Sequence, residues 1–258
     1  MRVLFFADVI GKPGREMLMK RLPELRERFE ADAVVANGEN VTDGTGIRPS
    51  HADALLGAGV DVITTGNHIW RQRDIYRYLD EQPRLIRPYN FLASSPGRGV
   101  TAVDTPAGRL GVVNLIGQLF LNPAHSPFEA VDGALEELHG VCTVIVDLHG
   151  EATSEKVAMG WYLDGRVSAV IGTHTHVRTA DAKVLPGGTA YITDAGMCGP
   201  RDSVIGVKKE LVLERMLRQM PVRFDVASDD VWLEGVVIDI GADGHALGIE
   251  PFEVGPAS

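Results

Sequence analysis

The 258-residue chain is predicted to be an α/β protein, a four-layer α/β/β/α sandwich of two mixed β-sheets with helices on the outside. Three observations predict it. Apolar, β-branched runs recur at residues 3–6, 33–36, 62–64, 144–146, 167–171 and 190–192. Most are continuous rather than alternating, as expected of strands buried on both faces. Helical patterns separate the early runs, whereas several later runs pair across turns, so each sheet should mix parallel and antiparallel neighbours. A short polar cluster also follows each run, which places the clusters along one sheet edge, where open α/β sheets bind ligands.

The elements follow in order. Leu18, Leu22, Leu25 and Phe29 give helical spacing over 14–29, with Pro23 expected to kink or break it. Further helices are expected over 49–56 and 71–79. Thr101-Ala102-Val103, a turn at Pro106-Ala107-Gly108, and Leu110-Gly111-Val112-Val113 then form an antiparallel hairpin. Ser126-Pro127-Phe128-Glu129 is a capping-box start, with Phe128, Val131, Leu135 and Leu138 as its buried stripe. A strand over 142–147 and a helix from beyond His149 to about Leu163 precede the strand before His174. A hairpin turns at Pro186-Gly187-Gly188, and Ala242-Asp243-Gly244 joins a last pair of strands over 231–240 and 245–254.

With 45% apolar residues and no low-complexity tract, residues 1–258 should form a single domain. The apolar run at the amino terminus is too short for a signal peptide, and no later run approaches membrane-spanning length. Cys142 and Cys198 stand without the paired spacing of structural zinc and fit a reducing compartment, so a soluble, cytoplasmic protein is expected. A net charge of -10 argues against a broad nucleic-acid-binding surface. A small phosphorylated ligand is compatible with it, because bound cations supply local positive charge. The sequence is also compatible with a homo-oligomer.

The clusters are Asp8, Gly38-Glu39-Asn40, Gly66-Asn67-His68, Asp147-Leu148-His149, Gly172-Thr173-His174-Thr175-His176 and Thr193-Asp194. Their oxygen and imidazole donors suit hard or borderline divalent metals. His174 and His176 share a strand-end segment whose period of two would project both rings to one side. His51, His125, His139 and His245 have no such setting and read as structural or exposed. Asn40 and Asn67 taken alone would be turn residues, and Asp147 either orients His149 or simply ends a strand. Residues 11–15 lack the phosphate-loop pattern and read as a strand-to-helix turn, with Arg15 within reach of a phosphate. Residues 43–46 and 196–200 read as loops on the site edge, serving as substrate walls or as connections. Cys198 has no evident activating base.

Together these clusters resemble the calcineurin-like metallophosphoesterase superfamily through Asp8, Gly38-Glu39-Asn40, Gly66-Asn67-His68, His149 and Gly172-Thr173-His174-Thr175-His176. Thr193-Asp194-Ala195-Gly196-Met197 extends the resemblance to the YmdB-like branch of 2′,3′-cyclic-nucleotide phosphodiesterases. The usual Asp-x-His motif reads Asp8-Val9-Ile10, and Glu39 replaces the usual bridging aspartate; both departures look like that branch. The resemblance implies a first metal held by Asp8, Glu39, Asn40 and His176, and a second held by Glu39, Asn67, His149 and His174. Asn40 would supply the donor that Ile10 cannot. It implies iron, with manganese as the other candidate, in a dinuclear site of divalent or mixed-valence ions. A carboxylate can bridge two cations about 3.5–4 Å apart. The resemblance further implies a metal-bridging hydroxide as nucleophile and His68 as proton donor to the departing ribose oxygen. The expected hydrolase activity converts 2′,3′-cyclic nucleotides, such as 2′,3′-cyclic AMP, to nucleoside 3′-phosphates. A phosphomonoesterase or phosphoprotein phosphatase on the same metal core is the alternative enzyme. A nucleotide-sensing regulatory protein with slow turnover is the non-enzymatic alternative.

Overall fold

The computed structural model describes residues 1–121 and 124–256. Its elements run β1 (Arg2–Phe6), β2 (Asp8–Val9), α1 (Gly11–Arg28), β3 (Ala33–Asn37), α2 (Pro49–Gly57), β4 (Val62–Thr64) and α3 (Ile75–Glu81). There follow β5 (Val100–Thr105), β6 (Gly108–Ile116), α4 (Pro127–Glu137), β7 (Thr143–His149), α5 (Thr153–Tyr162) and β8 (Ala169–Thr173). The chain ends with β9 (Lys183–Val184), β10 (Ala190–Ile192), β11 (Met197–Pro200), α6 (Lys209–Arg218), β12 (Val231–Ile240) and β13 (Ala246–Val254).

Two mixed sheets result. One has the order β2-β11-β12-β1-β3-β4, with β13 beside β12; the other has the order β5-β6-β7-β8-β10-β9. Strands β1, β3 and β4 are parallel, as are β6, β7, β8 and β10. The continuous apolar runs are explained by the layering. Val3 and Phe5 enter the core between the sheets, while Leu4 and Phe6 enter the core shared with Leu18, Leu22 and Leu25 of α1. In the second sheet Ile145 points between the sheets, and Val144 and Val146 pack with Val131 of α4 and Met159 of α5. Helices therefore cover both outer faces, and the four-layer α/β/β/α sandwich stands.

Several local expectations change. Helix α1 runs through Pro23, because Leu18, Leu22 and Leu25 hold that face in the core at 0–1% exposure and outweigh one lost backbone hydrogen bond. The third helix starts at Ile75 rather than Arg71. A 3-10 turn over Ile69–Arg71 precedes it, and extended Gln72 breaks the chain direction while its amide donates to the Thr45 carbonyl at 3.0 Å. Residues expected to be a loop at 197–200 form β11, which pairs Met197 with Asp8 and Gly199 with Trp232. Helix α6 has no sequence counterpart, since Val212 is its one buried residue and no core-facing stripe marks it. Among the described residues no helix is long and apolar enough to cross a membrane.

Candidate active site

The site is the place where the columns of side chains between the sheets turn polar. In β3 the inward residues are Ala33 and Val35, in β4 Val62, in β7 Ile145, and in β8 Ala169 and Ile171. Continuing each column by two residues reaches Asn37, Thr64, Asp147 and Thr173, and these join across the sheets. Asn37 Nδ2 donates to Asp147 Oδ2 at 2.9 Å, Thr64 Oγ1 donates to the same oxygen, and Thr173 Oγ1 donates to Asp147 Oδ1 at 2.7 Å. Asn37 Oδ1 in turn accepts from the Glu39 amide at 3.1 Å, which ties the loop after β3 to this floor. Asp147 thus acts through Thr173 and Asn37 rather than merely ending a strand. Burial pushes its carboxyl up to about 6.

Above the floor, His149 is the hub. Its Nε2 lies 3.1 Å from Glu39 Oε1, 3.2 Å from Asn67 Oδ1 and 3.0 Å from His174 Nδ1. Adjacent ligands of an octahedral ion with bonds of about 2.0–2.1 Å are about 3 Å apart, so these spacings suit a shared cation. Ligand atoms of Glu39, His149 and His174 all lie within 4.8 Å of one another. Gly66 makes the approach possible, because a Cβ there would strike Glu39 Oε2 and the His149 ring.

His176 anchors the other half. Its Nε2 is 3.6 Å from Asp8 Oδ1 and 3.2 Å from Asn40 Nδ2. Asn40 Oδ1 accepts from His68 Nδ1 at 2.8 Å, and Glu39 Oε1 lies 2.9 Å from the same nitrogen. His68 Nε2 is therefore the ring nitrogen left for a substrate. The rings of His174 and His176 do not reach the site by strand alternation. Strand β8 ends at Thr173, and both residues adopt positive φ, +100° and +62°, in the loop beyond it. Their strained backbone is overridden by the contacts that the loop makes, a pattern common at functional sites.

All three imidazoles share one arrangement. The Thr173 hydroxyl gives its proton to Asp147, so its oxygen accepts from His149 Nδ1 at 2.9 Å. His174 Nε2 lies 3.0 Å from Glu151 Oε2, and His176 Nδ1 donates to the Ile205 carbonyl at 3.0 Å. Each outer nitrogen is thus held by an oxygen, and each inner nitrogen faces the acidic centre. At that centre Asp8 Oδ1 and Glu39 Oε1 are buried and meet only imidazole nitrogens, with no well-aligned hydrogen bond among the described residues. Burial works against charge on these carboxylates, yet the facing imidazoles hold Asp8 below and Glu39 well below the usual carboxylate range. Burial also opposes charge on His149, but Glu39 and Asp8 outweigh it and raise the ring to about 9, while burial beside His149 pushes His174 down to about 3. The acidic centre draws a proton onto His149 where a cation could take its place.

Thr173, a member of the cluster after β8, supports the site together with Glu151 and Lys156, which no sequence motif marks. Lys156 Nζ donates to the Thr173 carbonyl at 2.7 Å and to Asp194 Oδ2 at 2.8 Å, and Asp194 also accepts from the Thr175 amide at 3.1 Å. This buried pair holds the loop that carries both histidines. The spacing of Lys156 with Met159, Gly160 and Leu163 is helical, which sets this cation on an otherwise apolar face of α5. Residues 11–15 open helix α1 rather than forming a turn before it, and Arg15 is committed to the Val41 carbonyl at 3.0 Å. Cys198 is a buried thiol pushed up by burial, donating to the Glu234 carbonyl at 3.1 Å. His51 meets Thr42, and His245 meets Asp243, outside the site.

The profile of YmdB-like proteins matches residues 4–252. The chain belongs to the YmdB-like family. This bears out the resemblance carried by the clusters from Asp8 to His176, all of which lie within the matched region of this YmdB-like chain. The 2′,3′-cyclic-nucleotide 2′-phosphodiesterase of Bacillus subtilis (strain 168) is 46% identical over 241 residues, covering 93% of this chain and 91% of that protein. A crystal structure of a hypothetical protein from Thermus thermophilus superposes with a TM-score of 0.93 at 40% identity, covering 100% of both chains. A Mycoplasma pneumoniae crystal structure described as a novel phosphatase gives a TM-score of 0.92 at 33% identity, covering 99% of this chain and 93% of that one.

Proposed function

We propose that this protein is a dinuclear-metal-dependent phosphodiesterase that hydrolyses 2′,3′-cyclic nucleotides, such as 2′,3′-cyclic AMP, to nucleoside 3′-phosphates. The observation that carries the proposal is the shared setting of His149, His174 and His176: each has one nitrogen held by an oxygen and the other turned toward the buried carboxylates of Asp8 and Glu39. The cyclic-nucleotide substrate is supported by the 46% identical Bacillus subtilis relative and its activity. Asp8, Glu39, Asn40 and His176 would hold one metal, and Glu39, Asn67, His149 and His174 the other, with Glu39 as the bridge. Asn40 Oδ1, which accepts from His68 Nδ1, would offer its second lone pair to the first metal. Iron is the favoured metal and manganese the second candidate.

When bound, the metals would supply Lewis acidity to the phosphoryl oxygens and an acidified water as nucleophile. The chain's residues do the rest. Asp147 and Thr173 keep the proton of His149 on Nδ1, so Nε2 stays the donor nitrogen. Asn40 and Glu39 hold His68 by Nδ1, and Nε2 would give its proton to the ribose 2′ oxygen as the bond from phosphorus to that oxygen breaks. Water adds to phosphorus, and the phosphate stays on the 3′ oxygen. The two free cysteines support a cytoplasmic setting.

Anaerobic purification with elemental analysis, followed by a substrate panel on the same sample, tests the proposal. The expected result is two metals per chain and faster turnover of cyclic diesters than of monoesters. Preference for monoesters would make the protein a phosphatase, and tight binding without product would make it a nucleotide sensor.

A further inference from the structure

A cavity of about 480 Å³ opens beside His176 and takes in Val177, Arg201, Ile205 and Trp232. His176 is the wall that the cavity shares with the candidate metal centre. Its ring lines the cavity, its Nε2 lies 3.6 Å from Asp8 Oδ1, and its Nδ1 holds the Ile205 carbonyl at 3.0 Å. A ligand whose phosphate sits at the metals would therefore reach this cavity with whatever the phosphate carries.

The chemistry of the walls selects what that group can be. Arg201 Nη2 donates to Glu234 Oε1 at 3.2 Å and to Glu253 Oε2 at 3.0 Å, and Arg178 Nη2 donates to the same Glu253 oxygen at 3.3 Å. These cations are already matched by carboxylates, so the cavity has no unmatched positive charge for a second anionic group. It does offer a flat surface: the Arg201 guanidinium lies over the Trp232 ring, 3.8 Å from its centroid. It also offers exposed apolar side chains, Ile205 at 52% and Val177 at 61%. Ile205 has φ +48°, an outlier for a β-branched residue, and its contact with His176 holds it there.

We propose that this cavity is the nucleobase subsite, receiving a neutral heteroaromatic ring against the Arg201–Trp232 pair and the side chains of Ile205 and Val177. The proposal rests on the phosphodiesterase reading and adds the recognition of the base. Because the charged wall groups are already paired, the subsite reads the flat face of the ring more than its hydrogen-bonding edge. Stacking of that kind tolerates every base.

The test compares 2′,3′-cyclic AMP with ribose 2′,3′-cyclic phosphate, which keeps the scissile ester and lacks the base, using metal-loaded wild-type protein and the variants Arg201→Ala and Ile205→Ala. The wild-type KM should be roughly tenfold or more lower for the base-bearing substrate. Either variant, folded by its melting curve, should shrink that ratio severalfold. The second variant keeps the test decisive if loss of the Arg201 ion pairs disturbs folding. Equal wild-type KM values, or a ratio unchanged in both variants, would overturn the subsite and leave the phosphodiesterase reading standing. Absence of turnover on either substrate by the metal-loaded wild type would overturn both.

Discussion

Around His149 the donors are drawn together; around His176 they are spread. His149 is fully buried, with Glu39, Asn67 and His174 all within 3.2 Å of its Nε2 and a relay through Thr173 to Asp147 behind it. His176 lies on a left-handed loop residue, 3.6 Å from Asp8, bordered by a cavity and backed by one carbonyl. The first half is anchored on His149 at the end of β7, with Glu39 and Asn67 just beyond β3 and β4 of the other sheet, so the packing of the sheets sets most of it. The second depends on the loops at 40, 176 and 205. A preformed half suited to retaining a metal thus adjoins an adaptable half suited to meeting substrate.

The most severe way to break this contrast is Glu39→Ala, since Glu39 is the one residue proposed to serve both halves. Metal should be lost from both, and turnover should fall by more than the roughly 10²–10⁴-fold that a lost general acid costs. Elemental analysis with competition titrations checks it. A fully loaded and active Glu39→Ala protein would end the bridging assignment. His149→Ala should remove chiefly the second metal, because His149 belongs only to the tight half.

Next in size is His68→Asn, which should keep both metals and lose roughly 10²–10⁴-fold in rate on ribose cyclic phosphates, whose alkoxide leaving group needs a proton. Aryl phosphodiesters should suffer much less, and the penalty should shrink as leaving-group acidity rises across a substrate series. An equal loss for every leaving group, with chemistry rate-limiting, would make His68 a positioning residue.

The same contrast separates what could be read in the sequence from what could not. Strand-end donors were legible because each follows an apolar run, and a strand's period of two tells which side chains reach the sheet edge. Asp8, Glu39, Asn67, His149 and the His174 loop are brought together accordingly. The roles of two supports were not legible. Thr173 is only a member of its polar cluster until β7 and β8 are placed in register, and then it lies opposite His149. Glu151 is an exposed acid after a strand until His174 turns back to it. The left-handed backbone at His174 and His176 arises from contacts with Asp194, Asp8 and Ile205, which come from distant parts of the chain. Helix α6 escaped for a different reason: Leu213, Met216 and Leu217 are exposed, so its apolar residues mark no core face.

Thr173→Val sharpens the comparison by removing only the relay behind the tight half. Valine has nearly the shape of threonine, so the fold should persist while His149 loses the acceptor that keeps its proton on Nδ1. Binding of the second metal should weaken by roughly 10–100-fold, the usual scale for a lost partner of a metal-bound histidine, and the first metal should be little changed. Equal weakening at both would show that the Asp147 network supports the whole site rather than one half.

Asn40→Ala should have the smallest effect and the most specific one. The Asn40 amide touches His176 Nε2 at 3.2 Å and His68 Nδ1 at 2.8 Å, so it joins the open half to the proposed proton donor. As a neutral donor among carboxylates and an imidazole, its loss should weaken the first metal by about tenfold, the scale of one polar contact to a charged group. A separate loss in rate should persist when both metals are saturated, because His68 would then be held only by Glu39. Combining Asn40→Ala with His68→Asn separates the two roles. The loss in metal affinity should remain in the double variant, whereas the rate penalty of Asn40→Ala should disappear once the group that it positions is gone. If Asn40→Ala changes neither occupancy nor saturated rate, Asn40 is a turn residue, and the open half must take its remaining donor from elsewhere.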